Sequence, residues 1–215
     1  MNNSLTIIGA GAWGSALAIA LSHKFDKIFL LAKDKASSDA LGKQHSALSK
    51  PYNQNIFIGY SYEVISHSKA VLIATPSSAF GSVLKNIKDN VNDIPIAWVT
   101  KGFDPETANL LHETFNHYLT GHHPCVISGP TFAAEIVEEK PAAIVVASKD
   151  KKTRDYWSDI IQTETLRAYT NSDIVGVQVG GSVKNILAIA AGIASGLGFG
   201  ANTQAALITR GLAEM

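Results

Sequence analysis

The chain has 215 residues, 46% hydrophobic and 17% charged, with 18 acidic and 18 basic side chains and hence a formal net charge of zero. A chain of this size can bury a sizeable core in one large domain or one and a half, and its charge balance gives no electrostatic reason to bind nucleic acid or an anionic membrane, so small molecules are the expected partners. The charged fraction lies below the ~25% usual in soluble proteins, which fits either surface hidden in another domain or subunit or a lightly charged monomer. Separately from this composition, a homodimer is the expected assembly.

The N-terminal stretch LTIIGAGAWGSALAIAL (5–21) carries the strongest signal. Leu5, Ile7 and Ile8 form an apolar strand that runs into Gly9, Gly11 and Gly14, and Leu17, Ala18 and Leu21 then continue at helical spacing. This is a dinucleotide-binding fingerprint in its proper strand-turn-helix context. Gly9 allows the tight turn, Gly11 lets the backbone approach a pyrophosphate, and Gly14 lets the helix lie close to the sheet. The phosphates then sit at a helix N-terminus, where unpaired N–H groups favour anions.

KIFLLA (27–32) is the next strand, followed by Ala32-Lys33-Asp34 and a helical stretch predicted from Lys35 to Lys50. Lys33 could face a 2′-phosphate and Asp34 could hydrogen-bond ribose hydroxyls, so NAD and NADP both stay open here. KAVLIAT (69–75) and PIAWVT (95–100) read as buried strands. Helices are predicted over Ala79–Lys88 and Glu106–Tyr118, and CVIS (125–128), AAIVVAS (142–148) and LRAYT (166–170) continue the sheet. Strands alternating with helices predict an α/β, parallel, doubly wound Rossmann-type sheet over 1–172.

From Ile174 to about Ser195 the sequence predicts a long helix, apolar nearly all round and therefore buried. It would open an all-α domain over 173–215, with a second helix from Asn202 to Met215. The pattern stops at Met215 without a polar tail or cap, an ending that reads as a truncation. The apolar region Ile186–Gly200 is broken by glycines and shorter than the ~20 residues of a membrane span, so no stable membrane insertion is expected. The single Cys125 reads as a small core residue in a reducing compartment, and no signal-peptide pattern opens the chain; a cytoplasmic protein is expected. No HxxxH or HExxH spacing occurs among the histidines, and no metal is predicted.

Ligands of open α/β sheets bind beyond the carboxyl ends of the strands. Lys101, after PIAWVT, could reach a bound carbonyl, phosphate or hydroxyl there, or be a solvated loop lysine. Gly129 and Thr131 are read at a helix start with Pro130, either holding a polar substrate or simply capping the helix. Lys184 and Asn185 stand in the middle of the apolar helix, where a charge is costly unless used or paired. Burial, and a second cation such as Lys101 nearby, would lower the Lys184 pKa and suit it to general-base work, unless it snorkels to the surface.

GAGAWGSALA, ATPSSAF, TKGFDPET, SGPTFAAEIVEEKPAAIVVAS, GVQVGGSVKNILAIAAGI and GANTQAALITRGLAEM, in this order, resemble the bacterial NAD(P)-dependent glycerol-3-phosphate dehydrogenases along essentially the whole chain. The resemblance implies an oxidoreductase that moves a hydride reversibly between C2 of sn-glycerol 3-phosphate and the nicotinamide, giving dihydroxyacetone phosphate and feeding phospholipid synthesis. It gives Trp13, Lys33 and Ala133 to the cofactor, Lys101 to cofactor and substrate, Gly129, Thr131 and Asn185 to the substrate, and Lys184 the role of proton acceptor. Ile58 departs from the family's usual proline, and Ser182 and Ser195 from a commoner alanine and aspartate. The family continues for about a hundred further residues, carrying a GLGDL-like aspartate and a serine-arginine-asparagine phosphate clamp, so this polypeptide is expected to bind NAD(P) but turn over weakly or not at all. A related β-hydroxyacid dehydrogenase, or a nucleotide-sensing module without chemistry, are the competing readings.

Overall fold

The computed structural model describes residues 3–214. Six strands, β1 (Ser4–Ile8), β2 (Lys27–Leu31), β3 (Ile56–Gly59), β4 (Ala70–Ile73), β5 (Ile96–Trp98) and β6 (Val126–Ser128), run parallel in the order β3-β2-β1-β4-β5-β6. That order, reversing direction between β1 and β4, is the doubly wound dinucleotide-binding topology. The strands β7 (Ala142–Ala147) and β8 (Leu166–Asn171) extend the sheet beyond β6 to eight strands. β3 is not among the predicted strands; its Ile58 stands out only as a departure from the family's usual proline.

The helices are α1 (Ala12–Leu21), α2 (Lys35–Leu41), α3 (Ser77–Ile87), α4 (Leu111–Tyr118), α5 (Ala133–Val137), α6 (Lys151–Ile161), α7 (Ile174–Gly196) and α8 (Ala201–Glu214). One apolar layer joins Leu17 and Leu21 of α1, Ile136 of α5 and Trp157 of α6 to the sheet; the opposite layer joins Phe80 of α3 and Phe115 of α4. There the Trp98 ring lies 5.4 Å from Phe80 and 5.3 Å from Phe115, centroid to centroid. All three rings are fully buried, and side chains of this kind each contribute about 1.5–3 kcal/mol by leaving water.

Four expectations are corrected. The sheet is not wholly parallel, because β7 pairs antiparallel with β6. The connection between them carries only the short α5, which packs against α1 instead of returning across the sheet as a crossover would. The helix from Lys35 stops at Leu41, where Gly42 takes φ +56 and ends it. The helix predicted from Glu106 begins at Leu111, since the Asp104 carboxylate accepts from the amides of Glu106 and Thr107 and holds a turn, with Ala108 at φ +59.

The fourth concerns α7. The helix forms as predicted, one continuous 23-residue element from Ile174 to Gly196, and the apolar region does break after it, with Gly198 at φ +82. Counted from Ile174, however, the helix is long and apolar enough by length and composition to cross a membrane, unlike the short stretch expected. It is also not buried. Ile174 and Gln178 are the buried residues, whereas Ile186, Ile189 and Ile193 are 60–68% exposed. The helix meets the sheet at β6 and β7, with Gly181 beside Ser128, and meets α8, with Leu187 beside Gly211. α8 begins at Ala201, and its predicted end, Met215, lies outside the described residues.

Candidate active site

The carboxyl ends of β1, β2, β4, β5 and β6 open onto one cleft of about 1180 Å³. Gly9, Gly11, Trp13, Lys33, Lys101, Thr131 and Ala133 line it, together with Thr75 and Phe132. Gly9 has φ +113, and a Cβ there would stand 2.6 Å from the Ala74 carbonyl oxygen. Gly14 sits behind the cleft wall, where a Cβ would fall 1.9 Å from the Gly9 oxygen. Gly11 differs from both: no atom lies within 4 Å of the position a Cβ would take. It is also the N-cap of α1 and supplies no side-chain acceptor to the first-turn amides. Open space before unclaimed N–H groups fits a pyrophosphate.

At the far end of the cleft, Lys33 is exposed and lines the wall with Ser37. Asp34, the alternative, is occupied elsewhere. Its Oδ1 accepts from the Ser37 amide at 2.8 Å and caps α2, and those hydrogen bonds hold the carboxyl below its ordinary pKa.

Two amines come together at Lys101, which lines the cleft, whereas Gly129, Lys184 and Asn185 stand outside its lining. Lys101 Nζ and Lys184 Nζ each donate to the carbonyl oxygen of Gly129 at 3.3 Å. α7 reaches this point because Asp173 caps it through the Gly176 amide, Ile174 anchors it in the core, and Gly181 passes the end of β6. A Cβ on Gly181 would meet Ser128 Oγ at 2.7 Å, so the helix comes that close only without one. Gly129 is equally confined, with Ala143 O 2.7 Å from its Cβ position.

Lys184 is half-buried, in contrast to the buried position expected. The amine disfavoured as an ammonium is that of Lys101, lowered to about 8 by desolvation of its Nζ first and by the Lys184 charge second, although the residue as a whole is exposed. Asn185 is exposed. The segment Gly129–Thr131 is not a helix start, because α5 begins at Ala133 with Phe132 as its N-cap. Thr131 Oγ1 is nevertheless buried without a hydrogen-bond partner, as is Thr75 Oγ1 on the β4 side of the cleft.

The family model for the NAD-dependent glycerol-3-phosphate dehydrogenase N-terminus matches residues 4–154, and that for the C-terminus matches residues 173–215. The chain belongs to the NAD-dependent glycerol-3-phosphate dehydrogenase family. It is 56% identical over 216 residues to a glycerol-3-phosphate dehydrogenase (NAD(P)+) of Vesicomyosocius okutanii, and 55% identical to one of Ruthia magnifica. All of the chain aligns in both, and it spans 66% of the length of each. A crystal structure of a glycerol-3-phosphate dehydrogenase from Coxiella burnetii superposes with a TM-score of 0.90 at 35% identity, over 99% of this chain and 67% of that one. The β-hydroxyacid dehydrogenase reading gives way to this membership.

Within the family's N-terminal region, Thr75 was legible as a strand-end residue without a role. The helix linkage of Ser182 was not legible at all. Its hydroxyl accepts from the Gly102 amide at 3.1 Å and donates to the Gln178 carbonyl at 2.7 Å. Its departure from a commoner alanine was the available signal.

Proposed function

We propose that the cleft binds NAD or NADP and that the protein is a glycerol-3-phosphate dehydrogenase, interconverting sn-glycerol 3-phosphate and dihydroxyacetone phosphate. The observation that carries this reading is the convergence of Lys101 and Lys184 on one carbonyl oxygen at the edge of a cleft with an open glycine turn. The empty space at Gly11, the α1 amides and the orphaned Thr75 and Thr131 hydroxyls suit a bound dinucleotide and a polyhydroxylated substrate.

A bound nicotinamide supplies a site that takes up or returns a hydride at C2 of the substrate. In the oxidation direction Lys184 takes the C2 hydroxyl proton as hydride leaves, and in the reverse direction its ammonium polarises the ketone and returns that proton. Lys101 lies between cofactor and substrate, and its charged form attracts the substrate oxygen. Gly129 and Thr131 hold the substrate from the β6 side, while Asn185 neighbours the catalytic lysine. Trp13, Ala133 and the glycines enclose the cofactor, and Lys33 at the free end favours a 2′-phosphate, with Asp34 committed to its cap.

The 215 residues alone are proposed to bind nucleotide but turn over weakly, since the exposed isoleucines of α7 leave the substrate side unenclosed. A homodimer, with no stable membrane insertion, is the proposed assembly: α7 packs on β6 and β7, and Lys184 stands at mid-helix bonded to the Gly129 carbonyl. A cytoplasmic enzyme supplying glycerol phosphate to phospholipid synthesis is the role that fits. The test is dihydroxyacetone-phosphate-dependent oxidation of NADPH and NADH, by the chain alone and by a version extended with the C-terminal third of the Ruthia magnifica relative. Turnover by the extended protein with this substrate, and not with short hydroxyacids, is expected; cofactor binding with no turnover in the extended protein would instead favour a sensing module.

A further inference from the structure

Lys101 and Lys184 arise from different parts of the chain, one on the loop after β5 and the other on α7. Their amines can share the Gly129 oxygen only if that loop keeps a fixed distance from the helix. Gly102, next to Lys101, has Ser77 close on one side and is bonded on the other. It takes φ +106, and its Cβ position lies 3.3 Å from Ser77 Oγ at the start of α3. On the α7 side its amide donates to Ser182 Oγ at 3.1 Å.

Ser182 is itself fixed. Its hydroxyl donates to the Gln178 carbonyl at 2.7 Å, so both its donor and one acceptor position are used. Gln178 is buried and bonded in turn, its Nε2 to the Ile174 carbonyl at 2.9 Å and to His112 Nδ1 at 3.0 Å, its Oε1 to the His112 amide at 3.1 Å. The hydroxyl that receives the Gly102 amide therefore stands on a helix turn tied to α4. An alanine at this place could offer the amide nothing.

We infer that Ser182 is a positioning residue: its hydroxyl clamps the Lys101-Gly102 loop to α7 and so sets the spacing of the two lysine amines over the Gly129 carbonyl. This rests on the dehydrogenase reading for its purpose, although the clamp itself is a property of the chain. Removing the hydroxyl frees the loop to move outward. Lys101 then separates from Lys184, the charged group that faces it from α7, and gains water.

The experiment compares wild type, Ser182→Ala and Ser182→Thr in the 215-residue chain by three readouts: hydrogen exchange of the Gly102 amide, the pH profile of Lys101 acylation followed by peptide mass spectrometry, and NADPH affinity by equilibrium titration. In Ser182→Ala, exchange at Gly102 should rise about 5-fold, as expected for one lost hydrogen bond. The Lys101 midpoint should move up from about 8, and NADPH should bind about 5-fold more weakly. Ser182→Thr, which keeps the hydroxyl, should behave as wild type. An unmoved Lys101 profile in Ser182→Ala overturns the inference, even if the melting temperature falls, and so does a threonine variant indistinguishable from alanine. If wild type binds no NADPH, the dehydrogenase reading fails while exchange and acylation still decide the clamp.

Discussion

Lys101 and Lys184, 83 positions apart in the sequence, donate to the same oxygen at the same distance, 3.3 Å from each Nζ to the carbonyl of Gly129. Two ammonium groups so placed repel, and Lys101 yields, its pKa falling to about 8. Acylation of Lys101 should therefore reach half its plateau rate near pH 8, well before an ordinary lysine. In Lys184→Met the midpoint should climb toward the usual 10.5, because both the charge and the hydrogen bonding of Lys184 are gone while the desolvation remains.

The same shift sets a sign on stability. The folded chain holds this proton less tightly than the unfolded chain does, so between about 8 and 10.5 the unfolded state binds more protons. This group then makes the fold more stable as pH rises through that window. Urea titrations of wild type and Lys101→Met across it should differ in slope, the variant lacking the rise.

The glycines of the first turn separate folding from binding. Gly14→Ala places a methyl 1.9 Å from a backbone oxygen and should destabilise by about 1–3 kcal/mol or more. Gly11→Ala meets nothing within 4 Å and should cost under about 1 kcal/mol. Its methyl nevertheless stands in the space a pyrophosphate needs. Thermal melts and NADPH titrations should show Gly11→Ala folded but at least about 10-fold weaker in binding.

Lys33 and Asp34 are neighbours with unrelated tasks. Lys33→Ala should weaken NADPH by about 10-fold and NADH little, since only the former carries a phosphate for the amine to meet. Asp34→Ala should lose about 1 kcal/mol of stability as the α2 cap goes, with the ratio of NADPH to NADH affinity unchanged. Parallel titrations of both nucleotides against both variants check the pair.

Cys125 should resist thiol reagents in the native chain. It is fully buried, and burial pushes its thiol far above the ordinary range. Labelling by iodoacetamide should appear only with denaturant.

The elements that periodicity and turn chemistry define locally were legible: the β1-turn-α1 unit, the buried strands β4 and β5, and α3 each depend on a few neighbouring residues. The direction of β7 was not, because it depends on whether the preceding helix crosses the sheet, and α5 spends itself on α1. The start of α4 was hidden by a side chain, Asp104, which competes with the helix for the amides of Glu106 and Thr107. The exposure of α7 escaped the pattern for a different reason. An all-round apolar sequence states that a helix seeks cover, not that the described residues provide it. At the site, single residues such as Lys184 could be picked out as costly, but the oxygen they share could not. A backbone carbonyl has no signature in the sequence, and the Ser182 to Gly102 contact spans 80 positions.

The central claim is that the glycine-lined cleft holds the dinucleotide while the amine of Lys184 moves the proton. It is tested most directly in the C-terminally extended protein by measuring NADPH affinity and dihydroxyacetone-phosphate-dependent NADPH oxidation in wild type and Lys184→Ala. The expected result is an affinity within about twofold and a turnover lower by about 10²–10⁴. Turnover in the variant equal to wild type would contradict the account.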